Sequence, residues 1–139
     1  MTVFFSLGLW CIYFCPPTYL RDHTRLSPAA MNALDTASTG GYLIYVSAIS
    51  VVEVGYLVER YRLPEEAFGQ LIQALSDAET ELEIAPLNLI TAQTLRQIPR
   101  HLVPDMPDRI IAATALSLNL PLVTRDAQIQ SLTNIQTIW

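Results

Sequence analysis

Four short runs of strand-forming residues, YLIYVS (42–47), LEIAPL (82–87), LPLVT (120–124) and IQTIW (135–139), are separated by stretches with clear helix signals. That alternation limits the fold more than any other property of the chain. Ser27 before Pro28 is an N-cap with proline at the first helical position, and AAMNALDTA continues a helix over 28–38 until Gly40 and Gly41 stop it. A second helix runs from about Ala48 to Arg62, and Pro64 with Glu65 and Glu66 opens a third. A fourth follows Asn88, and a fifth spans about Pro107 to Asn119. The strand runs are almost continuously apolar, as in strands buried on both faces. With helices between them, this pattern predicts an α/β sandwich with a mostly parallel central sheet. At 139 residues and 51% hydrophobic, the chain suits a single domain over 1–139 with a substantial core.

In a parallel sheet, reactive groups collect beyond the carboxyl ends of the strands. Three acids are placed for that edge. Asp126 directly follows LPLVT, Asp108 opens the helix before that strand, and Glu53 lies in the second turn of the helix after YLIYVS. Glu53 is flanked by Val51, Val52 and Val54, so its carboxylate needs a metal, an arginine or strong hydrogen-bond donors. Asp105 and Asp108 also fit a capping pair at a helix start, and Asp126 fits a turn acid. Spacing alone leaves both sets of readings open.

Charge narrows the function further. The net charge is -5 and all eight basic residues are arginines, which excludes a phosphate-loop lysine and a Schiff-base lysine. An acidic chain binds nucleic acid poorly through general charge, so any such contact has to be local. Cys11 and Cys15 are too few for a zinc site and read as buried thiols of a reducing cytoplasm. Residues 1–20 are uncharged, but they lack a basic leader and are broken by Gly8 and Pro16-Pro17, so neither a signal nor a membrane span is expected. A first strand or an irregular segment is expected there. The five glycines form no phosphate cradle, which weighs against a small-molecule phosphohydrolase.

The segments YVSAISVVEVGYLVERYRLP and PDMPDRIIAATALSLNLPLVTRD resemble the glutamate and acidic-helix motifs of the PIN-domain family, in particular the VapC-like toxin ribonucleases. RLSPAA and IQTIW resemble flanking segments of the same family. The resemblance implies a PIN-like three-layer sandwich and an endoribonuclease that uses Mg2+ or Mn2+. It implies Glu53, Asp108 and Asp126 as catalytic metal ligands, with Asp105, Ser47 and Thr124 as accessory groups and Arg109 and Arg125 as RNA contacts. It further implies an RNA substrate, a cognate antitoxin protein, a homodimer and a cytoplasmic location.

Residues 1–25 match the family poorly. Its first strand ends in Asp-Thr, whereas residues 4–12 here read FFSLGLWCI, and no acid precedes Asp22. Asp35-Thr36 imitates the motif but follows a helix and precedes two glycines, so it is no substitute. A shifted reading frame or misplaced start upstream would leave such a pattern. Losing one acid predicts weak metal affinity and impaired cleavage. The alternative is a catalytically defective PIN-fold protein that binds an antitoxin or self-associates.

Overall fold

The computed structural model describes residues 3–5 and 26–139. Five strands form one sheet: β1 (Val3–Phe5), β2 (Ile44–Ser47), β3 (Leu82–Ala85), β4 (Leu122–Val123) and β5 (Thr137–Ile138), in the order β3-β2-β1-β4-β5. Every pairing is parallel, as the apolar strand runs predicted. The helices are α1 (Pro28–Thr39), α2 (Ala48–Glu59), α3 (Glu65–Ser76), α4 (Leu89–Thr94), α5 (Met106–Leu118) and α6 (Ala127–Gln130). A 3-10 turn at Leu95–Gln97 extends α4. The expectations for Cys11, Cys15 and the rest of 6–25 lie outside the described residues.

The sheet separates two apolar clusters. Ile44, Val46 and Val123 join α1, α2 and α3 in one, around Ala30, Leu34, Val54 and Leu71. Tyr45 and Leu122 belong with α5 and α6 in the other, around Ile98, Ile111, Ala112 and Ile129. Neighbouring residues of β2 and β4 thus go to opposite clusters, as the twofold period of a strand requires. This is the three-layer sandwich.

The chain moves from β1 outward to β2 and β3, then crosses back to β4 on the other side of β1. The strand order therefore reverses next to β1, and a crevice opens at such a reversal, beyond the carboxyl ends of the strands. In register, Phe5 stands between Val46 and Val123. Ser47 and Thr124 are the residues just past those two, so they mark the level at which β1 leaves the sheet.

Three helices end in the same motif, a left-handed residue whose following N–H reaches back into the last turn. Gly41 (φ 66°) closes α1, with the Tyr42 N–H on the Ala37 carbonyl at 2.9 Å. Asn119 (φ 52°) closes α5, with the Leu120 N–H on the Ala115 carbonyl at 3.1 Å. Tyr61 (φ 55°) closes α2, with the Arg62 N–H on the Leu57 carbonyl at 2.8 Å. Glycine and asparagine are the usual residues there. A tyrosine costs about 1–2 kcal/mol more than glycine for the same backbone.

Candidate acidic site

β2 ends at Ser47, which is buried and N-caps α2 without a side-chain hydrogen bond. Two turns into α2, Glu53 is half-buried among valines. Burial pushes its carboxyl up to about 7, and the nearby charges of Asp108 and then Asp105 push in the same direction. Asp108, in the first turn of α5, is raised to about 6, by burial first and then by Asp126 and Asp105. These four acids come from three separate elements and share one electrostatic neighbourhood.

The capping reading of Asp105 and Asp108 does not hold, while that of Asp126 does. Asp105 occupies the N-cap of α5, yet its side chain makes no cap hydrogen bond. Asp126 Oδ1 accepts the Ile129 N–H at 2.8 Å and starts α6, a short helix that sequence reading treated as a turn. Thr124 is buried, and its Oγ1 accepts the Asp126 N–H at 3.1 Å. Its carbonyl accepts from Gln130 Nε2 at 2.9 Å, so Thr124 holds the loop that presents Asp126.

Arg109 departs from the expected RNA contact. Its guanidinium points into the protein, where one terminal nitrogen donates to the Leu95 carbonyl at 3.2 Å and the Ile98 carbonyl at 3.0 Å. Its Nε is buried without a partner among the described residues. The side chain therefore ties α5 to the end of the α4 extension, satisfying carbonyls that the turn leaves open. Arg125 remains exposed beside Asp126.

Ser50 was missed by sequence reading. It lies one helical turn before Glu53, is fully buried, and its Oγ has no hydrogen-bond partner among the described residues. Its i, i+3 spacing from Glu53 was visible in the sequence, but nothing there showed that a small hydroxyl in SAIS would be left unsatisfied. Long helical side chains lean toward the N-terminus of their helix, so the Glu53 side chain leads back over Ser50.

Half-buried carboxylates with further acids beside them, as Glu53 and Asp108 are, suit a hard divalent cation, which bonds oxygen donors and offsets the negative charge. Among the described residues, however, no three such side chains stand ready as a preassembled metal site. The donors fit in kind and charge, and the family resemblance leads one to expect a further acid from the first strand. β1 itself carries none, and Ser6, the next residue in the sequence, lies outside the described residues.

A doubly wound parallel α/β protein with an acidic crevice at its topological reversal is thus defined. The model of the PIN domain family matches residues 19–134, and the chain belongs to that family. No curated protein matches the sequence.

Solved structures share the fold. A chain of VapBC2 from Rickettsia felis, bound to a DNA fragment from their promoter, gives a TM-score of 0.69 at 20% identity, over 99% of this chain and 97% of that one. DNA-bound VapBC from Salmonella typhimurium gives 0.65 at 20% identity, again over 99% and 97%. A toxin-antitoxin complex from Klebsiella pneumoniae gives 0.59 at 20% identity, over 96% and 94%. Among the described residues, no helix is long and apolar enough to cross a membrane.

Proposed function

We propose that the chain is a VapC-like endoribonuclease, the toxin of a toxin-antitoxin pair, impaired by the lack of an acid on its first strand. The observation that carries this reading is the gathering of acids at the reversal of strand order, where half-buried Glu53 and Asp108 feel the charges of Asp105 and, for Asp108, of Asp126. Family membership and fold likeness to solved VapBC assemblies support it.

Glu53, Asp108 and Asp126 would hold Mg2+ or Mn2+, with Asp105, Ser47 and Thr124 around them. When bound, such an ion makes a water nucleophilic near neutral pH and offsets charge growing on a phosphoryl group. The remaining work falls to the chain. The carboxylates would repel an RNA phosphodiester unless their charge were offset, and the exposed Arg125 would meet a phosphate beside them. Thr124 fixes Asp126, and α5 fixes Asp108 through the Arg109 staple. An antitoxin segment is the proposed partner, in a cytoplasmic setting.

Cleavage of single-stranded RNA with Mn2+ present tests this. Asp108→Asn and Asp126→Asn are expected to remove at least 100-fold of any activity, in line with losing one transition-state-stabilising group. Asp126→Asn keeps a side-chain oxygen for the Ile129 N–H, so its melting temperature should stay near that of the parent. Cleavage by both variants at the parent rate would rule out the nuclease reading. A second reading, a PIN-fold protein that only binds its antitoxin or itself, is favoured by the absence of a preassembled three-ligand set among the described residues. No Mn2+ binding and no cleavage by the parent chain would select it.

A further inference from the structure

The end of α2 and its exit read Tyr56-Leu57-Val58-Glu59-Arg60-Tyr61-Arg62, two tyrosines and two arginines in seven residues of an acidic chain. All four are exposed, Tyr56 by 58% and Tyr61 by 97%. The apolar members of the run, Leu57 and Val58, turn inward and pack on the core. What the run shows to solvent is two tyrosines and two arginines with the single acid Glu59 among them, so its exposed side is aromatic and, by one charge, net cationic. The Arg60 guanidinium carbon lies 6.0 Å from the centre of the Tyr56 ring.

A second, independent observation concerns Tyr61. Its left-handed backbone is the position where α1 uses glycine and α5 asparagine, and the ring makes almost no contact that would repay the strain. Strain kept at a fully exposed aromatic side chain points to a use outside the fold. A third is position. Tyr56 follows Glu53 by three residues, which places the two on neighbouring parts of one helix surface, within about 5–6 Å at Cβ.

We propose that Tyr56, Arg60 and Tyr61 form a stacking platform for single-stranded RNA that starts beside Glu53 and runs along α2. Aromatic faces take any base, and an interleaved arginine meets the backbone phosphates, so the platform binds unpaired RNA with little sequence preference. It also supplies the local positive charge that an acidic nuclease needs. The identity of the ligand rests on the RNA-cleaving reading, but the surface and its test do not depend on cleavage.

The test is binding of a fluorescently labelled single-stranded oligoribonucleotide to the whole chain, with EDTA present, followed by anisotropy at several salt concentrations. Tyr56→Ala should weaken binding about tenfold, while Tyr56→Trp should retain it. Arg60→Ala should weaken binding and flatten the salt dependence by about 0.7 in log–log slope. Tyr61→Gly is the most telling variant: it should melt at a higher temperature and bind RNA less well. Parent-like affinity in both Tyr56→Ala and Tyr61→Gly overturns the proposal. So does a loss of affinity accompanied by conversion of a dimer to a monomer in sedimentation, which assigns this surface to a second copy of the chain. If Asp108→Asn and Asp126→Asn leave cleavage unchanged while Tyr56→Ala weakens binding, the nuclease reading fails and the platform stands.

Discussion

Glu53 keeps its proton up to about pH 7, so near neutrality the metal-free protein holds it in a mixture of charged and uncharged forms. A group whose folded pKa lies above its unfolded value stabilises the fold at low pH and loses that contribution as pH rises through the folded value. For Glu53 the loss runs from about 4.5 to about 7, and for Asp108 from 3.8 to about 6. The metal-free chain should therefore melt at a higher temperature at pH 5 than at pH 8. Glu53→Gln should remove part of that difference by raising the pH 8 value, and it should abolish Mn2+-dependent cleavage. Thermal unfolding in EDTA at the two pH values checks the first effect, and an unchanged difference in Glu53→Gln would contradict it. Mn2+ should also release protons on binding near pH 7, measurable by calorimetry in buffers of different ionisation enthalpy.

At this scale the sequence was informative where a side chain conflicted with its surroundings. A glutamate among valines could be read, without any coordinates, as a carboxylate set in apolar surroundings, and it is half-buried near Asp108 and Asp105. Ser50 and Arg109 could not. The first is an ordinary small residue whose unsatisfied hydroxyl depends on packing, and the second is a cation whose direction depends on where the α4 extension ends. Asp105 read as a capping acid and Asp126 as a turn acid, yet it is Asp126 whose side chain caps a helix and Asp105 whose side chain does not.

Element ends were nearly as legible as element interiors wherever the chemistry of the cap was written in the chain. Ser27 accepts the Ala30 N–H at 3.1 Å and Asn88 accepts the Thr91 N–H at 3.0 Å, as the capping residues predicted. The end of α2 came out three residues shorter than expected, because Tyr61 is not a residue that marks a stop. α6 was not anticipated, since four residues give no periodicity to read. The left-handed end of α5 offers a direct check. Asn119→Ala should destabilise the fold by about 1 kcal/mol, and Asn119→Gly should leave it unchanged or slightly more stable. Chemical denaturation of the two variants reads this, and equal stability of the alanine and glycine forms would show that the turn relaxes.

Across the whole molecule, the layered parallel sheet was foreseeable from alternation, but its strand order was not. Periodicity says that a strand is buried on both sides, and gives no neighbour. The order matters because it puts the three acid-bearing elements around the exit of β1. The described part of the window over residues 4–12, Phe4 and Phe5, carries no acid. On the proposed reading of an impaired nuclease, Ser6→Asp should raise Mn2+ affinity and RNA cleavage together, and a variant no better than the parent in either would count against a single missing acid.

β1 is the first strand to be synthesised and the innermost of the five. One of its neighbours, β2, follows within the first third of the chain, but the other, β4, begins only at Leu122. Until that point has been made, the central strand has one open edge, and the crevice has only one wall. Pairing between residues 4 and 122 closes a long loop and is slow for the same reason. During translation, the protein must therefore pass through a half-built sheet in which the β4 side of β1 is still open. Asp126 follows β4, so it can join Glu53 and Asp108 only when almost all of the sequence has been made.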